Sequence, residues 1–505
     1  MLEQAPEEGL KIAFHENSSI AQDVRRLAGK SVVYGVGTVL LRSVGLLVLP
    51  LYTHFLTPAD YGIVALSATL TAFLAIVFPL SLYSAVARFY FLTSSDEERR
   101  RTNGTIWIAI LILGLAASAC LDLVGAPLFR WAYADLPFSP FVRMSIWTAF
   151  LSLFNLVPLN LLQAKEQPGA YVAWSVGSVL LTAGMILIFV VVLRQGAYGY
   201  LFATLLANFV LATPLAIVTI RECAFAFDFK ILRRALAFSL PLVPHGVASW
   251  ALGLSDRAIL MHFVPLGAIG LYSLGYQFGA VMIMASGAIS NAWIPFLYKR
   301  VAAQGKQANA GLARLVTYYT LAVCTIAVLL CLFSRDAILL FTSPPFHGAS
   351  PIVPIVVIGY LFNSLYIVPA NFLFVSNRTA YLPIATMGAA VLNILLNLVL
   401  VPRYGIIAAA WTTLVAFLVT LIVTLVIASR VFPFPYEYRR IALILISTAI
   451  VVAGGLQTYV ALPIDLVVQS AWLVAFPLLL VLSGVMSNRE REALGAFARR
   501  MLPRV

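Results

Sequence analysis

Long apolar runs, each about long enough to cross a bilayer, alternate along this chain with short polar segments. A membrane-spanning helix needs about 20 apolar residues to cross a hydrocarbon core roughly 30 Å thick. Such runs lie at approximately 31–56, 61–92, 105–129, 143–164, 170–193, 197–220, 238–264, 267–298, 311–334, 351–376, 379–402, 405–429, 439–461 and 466–486. This pattern predicts an all-α polytopic membrane protein with about 14 transmembrane helices. The two longest runs, 61–92 and 267–298, should tilt, kink or project beyond the membrane.

The composition excludes a soluble protein, because 62% of the residues are hydrophobic, 10% are charged and the mean hydropathy is +0.96. The basic residues indicate an orientation, since cytoplasmic loops hold an excess of Lys and Arg. If both termini are cytoplasmic, inner loops and tails hold 25 of the 33 basic residues, outer loops hold five, and three lie within apolar runs. The net charge of +13 then reflects topology and anionic lipid headgroups rather than nucleic acid.

A short internal repeat divides the chain. His54 precedes Gly62 at the same spacing at which His262 precedes Gly270, and a Phe follows each His. The repeat predicts two six-helix lobes of the same orientation, with a C-terminal helix pair outside them. The predicted segments are a cytoplasmic N-terminal segment (1–28), an N-lobe (29–220), a cytoplasmic amphipathic linker (221–237), a C-lobe (238–430), helices thirteen and fourteen (431–486) and a basic cytoplasmic tail (487–505).

The sequence gives no sign of a cofactor, a metal site or a removable signal peptide. Residues 1–28 contain no apolar run with a small-residue cleavage site. The four cysteines, Cys120, Cys223, Cys324 and Cys331, show neither a CxxC pair nor metal-ligand spacing. No phosphate-binding glycine motif follows a strand-like run, and the cytoplasmic loops are too short for an ATPase domain. Any energy input should therefore come from an ion gradient, the membrane potential or the substrate's own gradient.

Four charged residues within the runs are candidates for a functional site: Arg42, Arg88, Asp256 and Arg257. An Arg at the bilayer centre costs roughly 2.5–3.5 kcal/mol on insertion scales, so it should face a partner or water. Arg42 lies near the middle of its run, whereas Arg88 lies near an inner end, within snorkelling reach. Arg257 lies beyond the middle of the seventh run. The arginines predict a cationic interior typical of a transporter.

Two interpretations of the Asp256–Arg257 pair stay open. Adjacent helical residues point about 100° apart, so Asp256 either neutralises an Arg from elsewhere in the bundle or takes part in transport. For Arg42 we favour substrate contact, because the first six runs offer carboxylates only near their ends, at Asp60 and Asp122. A guanidinium that lacks a carboxylate partner is suited to a phosphate or pyrophosphate.

Neutral polar groups beside aromatic rings occupy the eighth, tenth and eleventh runs. They are Tyr272, Tyr276, Asn291 and Trp293, followed by Asn363, Asn371, Asn393 and Asn397. Such groups suit sugars, but Asn side chains also form helix–helix hydrogen bonds in lipid. The histidines His54, His245 and His262 are expected to be satisfied polar residues rather than proton carriers.

At these residues the chain resembles the polysaccharide-export (O-antigen, Wzx-type) flippases of the multidrug/oligosaccharidyl-lipid/polysaccharide exporter superfamily. Residues 41–42, 56–62 (Leu-Thr-Pro-Ala-Asp-Tyr-Gly) and 87–89 resemble the family's first helix pair. Residues 255–257 (Ser-Asp-Arg), 270–273 and 292–296 resemble its seventh and eighth helices. The resemblance covers about 31–430.

The resemblance implies two bundles around a central cavity that opens alternately to each side. It implies an undecaprenyl-diphosphate-linked oligosaccharide as cargo. Our leading hypothesis is a flippase of the bacterial inner membrane that binds the diphosphate through Arg42 and Arg257. Arg88, Asp256, Tyr276 and Asn291 complete the expected binding site. Membrane lipids, and the polymerase and chain-length proteins of the polysaccharide pathway, are the expected partners. No catalytic residue is expected, because such a protein moves its cargo and makes no covalent bond.

Three other functions are alternatives to a polysaccharide flippase. A cation-coupled multidrug antiporter of the same superfamily needs carboxylates in the cavity, and the first six runs place none well inside. A peptidoglycan-precursor lipid flippase is a relevant comparison because those proteins have fourteen spans, whereas many polysaccharide exporters have twelve. A glycosyltransferase or polymerase needs a sizeable loop with acidic catalytic residues, and the loops here are short.

Overall fold

The computed structural model describes residues 37, 44–45, 47–93, 95–133, 135–224, 226–290, 297, 309–376, 378–458 and 464–485. Their regular structure is helical. In chain order the helices are α1 (47–55), α2 (Pro58–Val77), α3 (Tyr83–Leu92), α4 (Asp96–Val124), α5 (Ala126–Ala132), α6 (Arg143–Ser152), α7 (Leu156–Ala164), α8 (Pro168–Ile186), α9 (Gly196–Glu222), α10 (Phe229–Ser239), α11 (Val243–Leu260), α12 (Leu266–Gly279), α13 (281–290), α14 (Asn309–Leu332), α15 (Ser334–Phe341), α16 (Ile352–Val375), α17 (Leu382–Val431), α18 (Tyr438–Gln457) and α19 (Ile464–Leu482). The predicted terminal segments, 1–28 and 487–505, lie outside the described residues.

Twelve segments in the described part of the chain are long and apolar enough to cross a membrane. One of them, Thr379–Val431, is 53 residues long and contains α17, whose 50 residues would extend about 75 Å as a straight helix. That length is about twice what one crossing needs. The helix breaks at Gly405, where φ is +59°, so the predicted eleventh and twelfth spans meet there. The first predicted run, 31–56, is described only in part, so the total of fourteen stays a prediction.

The two longest runs, for which the sequence predicts a tilt, a kink or a projection, are each divided into two helices. The run 61–92 is divided into α2 and α3 by a turn in which Leu80 and Ser81 have positive φ, a conformation that ends a helix. In the run 267–298, α12 ends at Gly279 and α13 begins at residue 281, with the turn residue Ala280 between them. Both breaks keep the helical segments shorter than the apolar run that contains them.

The motif at residues 56–62 builds the start of α2. Thr57 caps the helix: its hydroxyl accepts from the Asp60 backbone N–H at 3.1 Å, and the Asp60 carboxylate accepts from the Thr57 N–H at 3.0 Å. Pro58 occupies the first turn, where no N–H is needed. The Asp60 carboxylate also accepts from the Ala197 N–H at 3.2 Å, which joins the starts of α2 and α9.

The second copy of the repeat occupies the same place in α12, and the two copies touch. Gly62 and Gly270 each lie four residues after the first residue of their helix. A Cβ on Gly62 would lie 2.1 Å from the Leu266 carbonyl oxygen, and one on Gly270 would lie 1.9 Å from the Pro58 carbonyl oxygen. Only glycine permits this backbone-to-backbone approach. Following the predicted orientation, we call this end of the bundle the outer end.

The predicted linker 221–237 contains a short extended segment and the first part of α10. Asp228 caps this helix by accepting from the backbone N–H groups of Lys230 and Ile231, at 2.8 and 3.3 Å. The Asp228 carboxylate also pairs with Arg101 of α4 at 3.1 Å. These backbone hydrogen bonds, followed by the nearby basic groups, hold the pKa of Asp228 below its usual value.

The linker is seated on the inner end of α4 by its backbone. The Ala224 N–H donates to the Arg100 carbonyl at 2.9 Å, and the Thr105 hydroxyl donates to the Ala226 carbonyl at 3.0 Å. Gly104 makes room for this contact, because a Cβ there would lie 2.0 Å from the Ala224 carbonyl oxygen. These contacts fix the start of the linker, which connects the two lobes, to the inner end of α4.

The C-terminal pair, α18 and α19, packs on α14. At its inner end, Glu437 accepts from the Thr317 hydroxyl at 2.6 Å and from the Arg440 guanidinium at 3.1 Å. The Arg440 Nε also donates to the Val485 carbonyl at 2.7 Å, which ties both helices to the C-lobe.

Candidate functional site

A cavity of about 650 Å³ lies between the two lobes. It is lined by α1, α2, α8 and α9 from one lobe and by α11, α12 and α16 from the other. Its polar lining consists of Tyr52, Tyr61, Thr69, Asn155, Ser178, Thr182, Tyr200, Asn208, Arg257, Ser273, Tyr276, Gln277 and Tyr360. Among the described lining residues, Arg257 alone is charged, so the wall is otherwise a neutral hydrogen-bonding surface with five tyrosines.

Hydrogen bonds cross the cavity between the lobes at the level of Gln277. The Tyr61 hydroxyl donates to the Gln277 side-chain oxygen at 2.8 Å, and the Gln277 amide nitrogen donates to the Gly45 carbonyl at 3.5 Å. Tyr52 and Tyr200 pack edge to face, with ring centroids 5.6 Å apart. One amide side chain of α12 therefore contacts both α2 and the backbone of Gly45, two residues before α1.

Arg257 and Asp256, neighbours on α11, pair with each other rather than with partners from distant helices. Arg257 Nη1 donates to Asp256 Oδ1 at 3.0 Å and to the Gly253 carbonyl at 3.2 Å. The other oxygen of Asp256 accepts from the Tyr272 hydroxyl. Both charged side chains are buried, with 8% and 2% of their surface exposed. Both carboxylate oxygens of Asp256 therefore have partners, one in Arg257 and the other in Tyr272.

The pairing leaves part of the Arg257 guanidinium facing the cavity. Its Cζ lies 5.4 Å from the Tyr272 ring centroid and 4.7 Å from that of Tyr276, so two aromatic faces support it. Only Nη1 has hydrogen-bond partners among the described residues. Nε and Nη2 keep a two-pronged donor edge for a ligand, the geometry that suits a carboxylate or phosphate. One guanidinium can thus serve as both scaffold and anion contact.

The other predicted site residues have different positions. Arg88 of α3 is exposed, and its Cζ lies 4.4 Å from the Phe238 ring of α10, outside the cavity lining. Its place near an inner helix end lets the guanidinium reach the interface instead of the cavity. Arg42 and Asn291 lie outside the described residues. Val44 and Gly45, close to Arg42 in the chain, line the cavity.

Two of the asparagines proposed for sugar contact serve helix packing instead. Asn393 donates to the Thr413 hydroxyl at 3.2 Å, and Asn397 accepts from the Thr412 hydroxyl at 2.9 Å. All four side chains are buried, and they join the two halves of α17 across the break at Gly405. This is the helix–helix use of Asn that the sequence left open.

The outer end above the cavity is closed. Beyond the Gly62–Gly270 contact, the rings of Tyr61 and Phe346 pack edge to face at 5.9 Å, and the Ser343 hydroxyl donates to the Thr53 carbonyl. These contacts come from the segment that follows α15. The lobes are therefore in contact at the outer end through α2, α12 and that segment.

A second cavity, of about 1000 Å³, is almost wholly apolar and lies on the other side of the α2–α11 contact. Leu70, Leu74, Leu113, Leu121 and Ile394 are among its lining residues. The two cavities are separated by Trp250, whose Nε1 donates to the Thr69 carbonyl at 3.1 Å and whose ring packs on Phe73 at 4.8 Å. Apolar walls of this kind suit hydrocarbon chains rather than headgroups.

Sequence reasoning missed most of the cavity lining. Tyr52, Tyr61, Tyr200 and Tyr360 were not singled out, nor was Gln277. The available signal was a polar group well inside an apolar run, which Gln277 and Asn208 both provide. For tyrosines that signal is weak, because they also collect at membrane interfaces.

Comparisons with known proteins agree on one type of protein. The profile of a family described as "Polysaccharide biosynthesis protein" matches residues 51–351. "Lsg locus putative protein 1" of Haemophilus influenzae is 23% identical over 68% of this chain and 84% of its own length. The "Probable low-salt glycan biosynthesis flippase Agl15" of Haloferax volcanii is 22% identical over 46% of this chain and 50% of its own length.

The fold matches a solved structure titled "Lipid II flippase MurJ, inward closed conformation", with a TM-score of 0.70 and 15% identity over 88% of this chain and 98% of that one. At this identity the match shows a shared fold. The shared multi-pass helical fold is consistent with the family profile match. The profile match covers more than half of the chain, so the chain belongs to the family described as "Polysaccharide biosynthesis protein".

Proposed function

We propose that this protein is a flippase that moves a polyprenyl-diphosphate-linked oligosaccharide across the bacterial inner membrane by alternating access. The observation that carries the proposal is the cavity between the lobes: a neutral, tyrosine-rich wall with Arg257 as its charged group among the described lining residues. Tyrosine rings and amide side chains suit a glycan, which offers both hydroxyl groups and apolar ring faces. The Haloferax relative named as a glycan biosynthesis flippase supports this reading.

In this proposal the diphosphate contacts the donor edge of Arg257, with Arg42 as a second contact. The polyprenyl tail stays in the bilayer or in apolar crevices, because burying it among the polar lining would gain little hydrophobic free energy. Undecaprenyl is the expected tail. The surface polysaccharide is an O-antigen, capsule or exopolysaccharide, and the pathway's polymerase and chain-length proteins are the expected partners.

The cavity disfavours a cation-coupled drug antiporter. Such a protein needs a carboxylate that can exchange a proton for a cationic drug. Asp256, next to the lining residue Arg257, has its carboxylate oxygens bonded to Arg257 and Tyr272. A cationic ligand would also meet the guanidinium of Arg257.

Gene deletion tests the function directly. Lipid-linked oligosaccharide should accumulate on the cytoplasmic leaflet and the surface polymer should be lost, while susceptibility to cationic drugs stays unchanged. Normal surface glycan in a deletion strain that lacks any paralogue would contradict the proposal. Increased drug susceptibility with normal glycan would favour the antiporter instead.

Arg42 offers a test of the binding site within the same strain. Arg42→Ala should reach the membrane in normal amounts yet lose transport, because a charge-assisted contact worth roughly 1.5–3 kcal/mol is removed. Arg42→Lys should be intermediate, since it keeps the charge without the fork. Surface glycan and membrane abundance are measured together. Wild-type glycan with Arg42→Ala would exclude Arg42 as a diphosphate contact.

A further inference from the structure

Two buried carboxyl groups meet where the C-terminal helix pair touches the C-lobe at the outer end. Asp336 lies in the first turn of α15 and Asp465 in the first turn of α19, and each is 1% exposed. Gln469, one turn after Asp465 and wholly buried, donates from Nε2 to Asp465 Oδ1 and to the Gly455 carbonyl of α18, both at 3.2 Å. Three helices from different parts of the chain thus converge on one acidic cluster.

The cluster holds more buried acceptors than donors. Both carboxyl oxygens of Asp336 and the side-chain oxygen of Gln469 have no hydrogen-bond partner among the described residues. Gln469 is packed in place, because a Cβ on Gly455 would lie 3.0 Å from its Oε1. A buried acceptor without a donor destabilises the fold, and more so when it is charged. The cluster therefore lacks a hydrogen-bond donor.

The charges around Asp336 do not cancel this deficit. Desolvation by burial, and then the contacting carboxyl of Asp465, raise the pKa of Asp336, while Arg335 lowers it. The other titratable group on the neighbouring turn, His347, bonds the Thr342 carbonyl at 3.3 Å. The basic residues of α14 and α18 lie at the opposite ends of those helices, at Arg314, Arg439 and Arg440.

We propose that Asp336 and Asp465 form a proton-binding site that fastens α18 and α19 to the outer end of the C-lobe. One proton, shared between the two carboxyl groups, supplies the missing donor and removes the repulsion between two buried carboxylates. No bond other than O–H forms, and the proton comes from and returns to water. The site is separate from the cavity between the lobes.

The position of this site connects it to the closed outer end. α15 carries Asp336 at its start, and the residues that follow it, Ser343 and Phe346, contact Thr53 and Tyr61 of the N-lobe. Loss of the proton would leave two carboxylates in contact at the base of α15. The same short segment therefore carries both the proton site and part of the closure between the lobes.

The sign of the pH dependence follows from the raised pKa. A group with a raised folded-state pKa stabilises the fold below its unfolded pKa, and this stability is lost as the pH rises through the folded value. The melting temperature of the purified protein in detergent, measured from pH 5 to pH 8, should fall by roughly 2 °C or more. In Asp336→Asn and in Asp465→Asn this fall should disappear, because an amide supplies N–H donors without a charge.

The double variant and an exposed control make the test specific. Because the two residues form one site, Asp336→Asn/Asp465→Asn should remove no more of the pH dependence than either single change. Asp135→Asn, an exposed carboxyl, should keep the wild-type profile. Should one single variant fail to fold, the other single variant carries the comparison with wild type.

Two results would overturn the proposal. One is a wild-type pH profile in both single variants. The other is stabilisation of the wild type at pH 8 by sodium but not by choline, lost in the variants, which would make the ligand a metal cation and not a proton. Neither result bears on glycan transport, so the test is independent of the proposed function.

Discussion

At the residue scale, Arg257 shows how a buried charge can be both stabilised and available. Asp256 and the Gly253 carbonyl bind one terminal nitrogen, two tyrosine rings lie against the guanidinium, and Arg257 lines the cavity. Removing the whole side chain would strand a buried carboxylate, so loss of folding would hide any loss of binding. Replacing Arg257 with lysine separates the effect on folding from the effect on binding.

Arg257→Lys should reach near-normal membrane abundance, because the ammonium still neutralises Asp256. Transport should fall roughly tenfold or more, since the guanidinium edge is lost and a charge-assisted hydrogen bond is worth about 1.5–3 kcal/mol. The matched control is Arg143→Lys, at an Arg–Asp pair outside the cavity, where Nε lies 2.6 Å from Asp122. Surface glycan per unit of membrane protein should drop for the first variant and stay unchanged for the second. Equal values would argue against Arg257 as a ligand contact.

The sequence marks Asp256 and Arg257 as candidate site residues but does not predict how they are arranged. Two charges inside an apolar run signal a site by their cost alone. Their mutual pairing depends on side-chain conformation, because Asp256 and Arg257 leave the helix in different directions and only the long Arg side chain can turn back. Tyr272, expected to face sugars, instead binds Asp256.

At the element scale, the start of a helix depends on local sequence more than its end does. The motif Thr-Pro-Ala-Asp contains the complete cap of α2, with each polar atom assigned to a backbone partner. The break within α17 was predicted as a boundary between two spans, yet its cause, a positive φ at Gly405, depends on how the two halves pack. The acidic cluster of Asp336 and Asp465 was not predicted, because nothing local connects residues so far apart in the chain.

The cap of α10 gives a prediction at this scale. Asp228→Ala should expose the first turn of α10, because the N–H groups of Lys230 and Ile231 lose their acceptor. Asp228→Asn keeps an acceptor for the cap while it removes the ion pair with Arg101. Hydrogen exchange across 229–239 should therefore quicken in the Ala variant and change little in the Asn variant. If exchange quickens equally in both variants, the ion pair with Arg101, and not the cap, stabilises the first turn of α10.

At the scale of the whole molecule, orientation is a prediction from the basic residues. In intact cells, single cysteines at Arg100 and Arg233 should be shielded from an impermeant thiol reagent, and one at Asp60 should be labelled. The background needs its four native cysteines replaced, because all are free thiols and Cys120 is exposed. Inside-out vesicles should reverse the pattern. Labelling of the first two in intact cells would overturn the assigned orientation.

We expect the contact between the two repeat copies to stabilise the closed outer end. A methyl group on Gly62 would lie 2.1 Å from the Leu266 carbonyl oxygen, far inside contact distance, so Gly62→Ala must push α2 away from α12. The equilibrium should then shift from the closed outer end toward an open one.

This shift is measurable with a cysteine in the cavity wall at Ala65. Gly62→Ala should increase the rate at which an external impermeant thiol reagent labels Ala65→Cys, and Gly270→Ala should do the same from the other side of the contact. Gly388→Ala is the matched control, because a Cβ on that helical glycine would meet no atom within 4 Å. If the first two variants reach normal abundance and label no faster than the control, the glycine contact does not hold the outer end closed.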